Sequence, residues 1–188
     1  MLKKIVIIGP ESTGKSTLCE QLAQHYDTKW CPEFAREYLL TNGTDYAYDD
    51  LLHIAKGQIA LEEEFISMVY NQQPVLSNSR RTTNQQLLFI DTDMYVMKVW
   101  CEFVFENCHR FILEEIVSRQ YDLYLLCNID IPWVKDELRE YPDLQIRQKL
   151  YNIYEDSMIN QSVSWVDISG DYEERLQKAI VATDKLLK

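Results

Sequence analysis

Two hydrophobic patterns alternate along the chain: short unbroken runs rich in branched aliphatics, and longer stretches with apolar residues at helical spacing. The first run, "KKIVIIG" (3–9), is continuous, as expected of a strand buried on both faces. Ser16 to Tyr26 carries apolar Leu18, Leu22 and Ala23 and predicts a helix leaving the turn after that strand. "TKWC" (28–31) predicts a short second strand ended by Pro32, and a helix follows from near Glu33 to the Asn42-Gly43 turn signal. From Tyr48 to about Tyr70, the stripe Leu51, Ala55, Ile59, Ile66 and Val69 predicts one long helix.

The next stretch, 71–86, is polar, contains a proline and has no period; it reads as a surface insertion. "LLFID" (87–91) is a third predicted strand and Met94 to about Asn107 a helix. "DLYLLCN" (122–128) is a fourth strand, with charged helical stretches after it at 133–139 and 144–159. "SWVDIS" (164–169) is a fifth strand, and 171–187 a last helix. Strands alternating with helices predict an α/β fold: a five-stranded, mostly parallel open sheet with helices on both faces. Ligands of such sheets sit beyond the carboxyl ends of the strands. Here those ends are Gly9, Pro32–Glu33, Asp91–Asp93, Asn128–Asp130 and Ser169–Gly170.

Composition narrows the classes. The 188 residues suit one domain, 46% are hydrophobic, and only five glycines and five prolines interrupt them. A net charge of −11 repels phosphodiester backbones, which argues against a nucleic-acid partner. Five cysteines without a C-x-x-C pair predict a reducing compartment. "MLKKIVIIGP" is too short for a membrane span, so the expectation is a cytoplasmic protein with no membrane partner. The pattern leaves the oligomeric state open.

Gly9-Pro10-Glu11-Ser12-Thr13-Gly14-Lys15-Ser16-Thr17 satisfies G-x-x-x-x-G-K-[ST] between a predicted strand and helix. That context predicts a P-loop NTPase fold: backbone N–H groups and a helix N-terminus cradle phosphates, and Lys15 reaches the β/γ-phosphates. Ser16 would offer its hydroxyl to Mg²⁺, so a nucleoside triphosphate, ATP or GTP, and Mg²⁺ are the expected cofactors. Asp91, closing the "LLFI" strand, stands where such proteins place a metal carboxylate. Asp93 is two residues on, either as a second acid of the site or as the cap of the next helix. Glu33 and Arg36, three apart on one helix, are candidates to accept a hydroxyl proton and to offset developing charge, or else a surface ion pair. Arg139 and Arg147 follow the fourth strand, where small kinases place a lid. Ser169 and Gly170, after the last strand, are candidates to edge the adenine.

"GPESTGKSTL", "PEFAREYL", "AKGQ", "FIDTD", "PWVKDELR" and "ISGDYEER" occur in the order found in a known group. With them the chain resembles the ribosylnicotinamide kinase domain of the bacterial bifunctional NAD-biosynthesis regulators. The insertion at approximately 71–86 departs from the family by its length, whereas the resemblance implies one kinase domain over 1–188 with a helical lid at approximately 130–150. It implies ATP-dependent phosphorylation of the 5′-hydroxyl of nicotinamide riboside, a small-molecule partner, to give nicotinamide mononucleotide. Glu33, Arg36, Asp91 and Asp93 become expected site residues, and Arg139 and Arg147 lid cations. Trp30, Phe34, Tyr38, Tyr95 and Trp133 become candidates to stack on a cationic pyridinium ring. Adenylyl transfer in that family uses an H-x-G-H signature, and His25, His53 and His109 are isolated, so that second activity is not expected of these residues. From the residues alone, two other readings stay open: a kinase of another nucleoside or small metabolite, and a nucleotide-dependent ATPase or regulatory module.

Overall fold

The structure is a computed structural model that describes residues 2–71 and 86–188. Five strands, β1 (Leu2–Ile8), β2 (Lys29–Cys31), β3 (Gln86–Asp91), β4 (Leu123–Cys127) and β5 (Trp165–Ile168), form one sheet in the order β2-β3-β1-β4-β5. Every pairing is parallel, and Ile7 lies opposite Asp91 in the β1–β3 register. The helices are α1 (Lys15–His25), α2 (Phe34–Asn42), α3 (Tyr48–Asn71), α4 (Met94–Phe105), α5 (Arg110–Ser118), α6 (Leu144–Ile159) and α7 (Tyr172–Leu186).

The unbroken apolar runs arise because alternate strand residues face opposite layers. Ile5, Ile7, Phe89 and Leu125 pack beneath α1 and α7, whereas Val6, Ile8, Ile90 and Leu126 pack against α3, α4 and α6. A third cluster joins α2 through α5 around Leu51, Ile54, Met97 and Ile112. All five predicted strands form, within a residue or two at each end. The 71–86 insertion, apart from Asn71 and Gln86, falls outside the described residues. Among the described residues no helix is long and apolar enough to cross a membrane.

Two expectations need correction. Helix α5 was not among the predicted elements; it is short, and only Ile112 is buried within it. Residues 133–139, expected to be helical, form no helix. Pro132 and Pro142 bracket the stretch; apart from one backbone turn, Arg139 N–H to the Asp136 carbonyl, side chains capture N–H groups there and just beyond. Val134 N–H donates to Ser12 Oγ, Leu138 N–H to Asp136, and Glu140 and Tyr141 N–H to Glu11. Of the lid expected at approximately 130–150, residues 133–141 are therefore an irregular strap, and only the part from Leu144 onward is helical, as the start of α6.

Candidate active site

The strand-to-helix turn after β1 depends on two glycines. Gly9 has φ +137°, and a Cβ there would lie 2.7 Å from the Cys127 carbonyl oxygen, so only glycine lets β1 and β4 close this tightly. Gly14 has φ +78° and caps α1 without a side chain, so no side chain of the cap occupies the first-turn N–H groups. Within the loop, Thr13 Oγ1 and Lys15 Nζ both donate to the Pro10 carbonyl, at 2.7 and 3.0 Å.

Asp91 ends β3 beside this loop, fully buried. The Ser16 hydroxyl donates to its Oδ2 at 2.5 Å, while Oδ1 is buried with no partner among the described residues. Burial, and after it the negative charge of Glu33, push the Asp91 carboxyl up to about 6, against the opposing pull of Lys15 and Ser16. The next residue, Thr92, holds φ +76°, a costly conformation for a β-branched residue. Held there, its N–H donates to the Ile7 carbonyl and its hydroxyl to Glu33 Oε1 at 3.4 Å.

Glu33 is the N-cap residue of α2, and α3 sets its position. Buried Gln58 accepts the Phe34 N–H at 2.7 Å and donates to the Pro32 carbonyl, so it grips the chain on both sides of Glu33. Gly57 lets the Phe34 ring lie where a Cβ would clash at 2.1 Å. The "AKGQ" segment thus acts as the seat of the Glu33 turn.

A cavity of about 470 Å³ runs from the phosphate loop outward over α4, roofed by residues 137–141 of the strap. The structure gathers around it Gly9, Glu11, Ser12, Thr13, Gly14, Lys15, Ser16, Thr17, Trp30, Glu33, Arg36, Asp91 and Arg139 from the expected site. Arg36 forms an ion pair with Asp136 of the strap at 3.1 Å, and Arg139 donates to Ser12 Oγ at 3.2 Å.

Other expected site residues lie elsewhere. Asp93 is the N-cap of α4: its Oδ1 accepts from Tyr95 and Val96 N–H and its Oδ2 from the Tyr124 hydroxyl. Burial pushes this carboxyl up to about 7, though those three donors pull the other way. Arg147 is buried in α6 and aims at the Ile129 and Ile131 carbonyls, with its Nε unpartnered, so it lies behind the strap and away from the cavity. Tyr38 donates to Asp50, and Trp133 Nε1 points back to Glu11; neither lines the cavity. Ser169 accepts from Lys178, and Gly170 N–H donates to Asp130, on the far side of the loop.

The outer cavity wall went unread in the sequence. Val96, Val99, Trp100 and Phe103 of α4 line it at i, i+3, i+4 and i+7, together with Tyr46 from the α2–α3 connection. A helical stripe was the available signal, but Met94, Met97 and Cys101 make a second stripe into the core on the same helix. With two apolar faces, nothing in the pattern says which one is left uncovered.

Comparison with known proteins agrees with this architecture. The trifunctional NAD biosynthesis/regulator protein NadR of Escherichia coli (strain K12) is 24% identical over 181 residues, 95% of this chain and 41% of that protein. Its counterpart in Salmonella typhimurium is 23% identical over 99% of this chain and 43% of its own length. The chain thus spans less than half of these curated relatives. Among solved structures, NadR in complex with NR superposes with a TM-score of 0.76 at 23% identity, over 98% of this chain and 49% of that one. NadR in complex with NAD and AMP-PNP gives 0.70 at 22% identity over the same shares. Thymidylate kinase from Ehrlichia chaffeensis gives 0.65 at 12% identity over 100% and 99%. These likenesses establish a P-loop NTPase fold. The AAA domain family matches residues 4–175, from the first strand to the start of the last helix, and the chain belongs to that family.

Proposed function

We propose that the protein is an ATP-dependent kinase that phosphorylates the 5′-hydroxyl of nicotinamide riboside, with the chain acting as a single kinase domain. The observation that carries this reading is the cavity itself. Its inner end is a phosphate loop with a metal-type carboxylate, and its outer end is apolar and aromatic. Among the described residues, five carboxylates line it (Glu11, Glu33, Asp91, Glu137 and Glu140) beside three cations, Lys15, Arg36 and Arg139. Both sets sit toward the loop and strap, where a triphosphate and its metal belong, and the apolar, aromatic outer wall suits a flat ring. Likeness over nearly the whole chain to a protein crystallised with NR and with AMP-PNP supports the same assignment.

Residues present fit a magnesium ion. A buried carboxylate oxygen without a partner beside a serine hydroxyl is a donor set for a hard cation, and Mg²⁺ commonly takes one or two protein oxygens alongside phosphates and water. Asp91 and Ser16 would hold it, and when bound it would offset phosphate charge. Lys15 exchanges its bond to the Pro10 carbonyl for phosphate oxygens. Glu33 accepts the proton of the attacking hydroxyl as the new P–O bond forms and the bond to the ADP oxygen breaks. Asp93 is a poor base by comparison, because its lone pairs are committed to three donors. Arg36 and Arg139 flank the transferring group, and the strap keeps water out.

The test is incubation with ATP, Mg²⁺ and nicotinamide riboside beside parallel arms holding thymidine, uridine and adenosine. Formation of nicotinamide mononucleotide in the first arm is expected. Turnover confined to another nucleoside, or ATP hydrolysis with no acceptor phosphorylated in any arm, overturns the proposal.

A further inference from the structure

Glu11 is out of place in a loop built to wrap anions. Loops of this kind work through N–H donors, and a carboxylate beside a triphosphate is repelled by it. Here the carboxylate faces the strap instead. Glu11 Oε1 accepts from the Tyr141 N–H at 2.6 Å and the Trp133 Nε1–H at 3.4 Å, and Oε2 accepts from the Glu140 N–H at 3.0 Å. Its neighbour Ser12, held at φ +56°, accepts from the Val134 N–H at 2.9 Å and Arg139 Nη1 at 3.2 Å. Two successive loop side chains thus hold five donors, all from residues 133–141.

That strap has no helix or strand of its own to fix its path. Away from the loop its ties are the Arg36–Asp136 ion pair and the Tyr46–Glu140 hydrogen bond at the surface, and the edge-on contact of Tyr141 with Phe103 of α4. Surface ties of this kind stabilise little, whereas donors converging on a carboxylate make charge-assisted bonds of about twice the ordinary strength. The roof of the cavity, residues 137–141, therefore takes its strongest tie to the loop from Glu11, which alone among the described residues holds two successive N–H groups of that roof.

We propose that Glu11 is a positioning residue that latches the strap over the bound triphosphate and thereby sets the partition between acceptor and water. Its role is to keep the cavity shut while the phosphoryl group moves. With the latch gone, water enters and its oxygen attacks the γ-phosphorus. The bond to the ADP oxygen breaks, and ADP, inorganic phosphate and a proton are released. The partition half of this inference rests on the kinase reading above; the latch half does not.

The experiment compares wild type with Glu11→Ala and Glu11→Gln in two assays. Limited trypsin digestion without substrates reads the strap at Lys135 and Arg139. Glu11→Ala is expected to be cut there about tenfold or more faster than wild type, with Glu11→Gln between the two because one amide oxygen still accepts. The second assay measures phosphate released against acceptor phosphorylated, at saturating ATP. That ratio is expected to rise about tenfold or more in Glu11→Ala, and less in Glu11→Gln. An unchanged digestion rate overturns the latch, and an unchanged ratio overturns the partition. Should wild type phosphorylate no nucleoside, the kinase reading fails while digestion still decides the latch. If Glu11→Ala does not fold, Trp133→Phe, which removes one of the three donors and spares the loop, is judged by the same criteria.

Discussion

Ser16 donates its hydroxyl hydrogen to one oxygen of Asp91 at 2.5 Å, and the other oxygen is left buried with no partner among the described residues. A native fold rarely leaves such an atom unsatisfied, and its place beside a phosphate loop is what the proposed magnesium role requires. Asp91→Asn keeps the shape and the Ser16 contact but removes the charge. It should lower turnover by ~10³-fold or more, since the metal's contribution amounts to several kcal/mol of charge stabilisation. Calorimetry should find that Mg²⁺ no longer strengthens ATP binding to the variant. Magnesium-dependent binding equal to wild type would remove Asp91 from the metal site.

The two acids nearest Asp91 should separate by role. Glu33→Gln is expected to cut kcat by ~10²-fold or more with KM for the nucleoside little changed, as loss of a base requires. Asp93→Asn should retain most of its turnover, because an amide can still cap α4 and meet the Tyr124 hydroxyl. Asp93→Ala should instead lose stability, at least the ~1–2 kcal/mol of a lost helix cap, read from urea denaturation. Equal kcat losses for Glu33→Gln and Asp93→Asn would move the base.

The arginines divide in the same way. Arg139→Ala should reduce kcat by roughly tenfold or more, because its guanidinium borders the phosphate loop. Arg147→Met should leave turnover close to wild type. It removes a buried cation with long contacts of 3.4–3.5 Å and an unpartnered Nε, so its stability should hold or rise. A large kcat loss in Arg147→Met would place that side chain back over the phosphates.

These contrasts mark how far the sequence could be read. Strands buried on both faces announce themselves as unbroken runs, and the phosphate loop follows from spacing set by backbone geometry, so β1, β3, β4 and Lys15 were legible. Asp91 was a candidate because strand ends define where ligands sit, whereas spacing alone favoured a surface ion pair for Glu33 and the family resemblance raised it; both line the cavity. The strap was not, since its path depends on which distant side chains, Glu11 and Ser12, capture its N–H groups. Arg147 has a lid cation's position in the chain, yet α6 turns it inward, and only the tertiary packing of that helix decides the direction. The outer cavity wall was hidden by the double apolar face of α4.

Arg175, which the sequence reading passed over, ties the site together from behind. It donates to the Thr13 carbonyl of the phosphate loop, the Asn128 carbonyl after β4, the Gly170 carbonyl after β5, and the Asp130 carboxylate. Asp130 in turn accepts the Gly170 N–H at 2.6 Å. Partial burial pushes the Asp130 carboxyl upward, but the Gly170 N–H and the Arg175 guanidinium outweigh it and hold it below the ordinary carboxylate range. A carboxyl whose folded value is depressed contributes stability above its unfolded value of about 4, and that contribution disappears as the pH falls through the folded value. Asp130→Asn cannot titrate. Its urea midpoint should therefore lie below that of wild type at neutral pH, and the gap should close as the buffer is taken below about pH 4. A gap that stays constant across that range would mean that the Asp130 charge contributes nothing to holding the three loops, and that Arg175 does so through carbonyls alone.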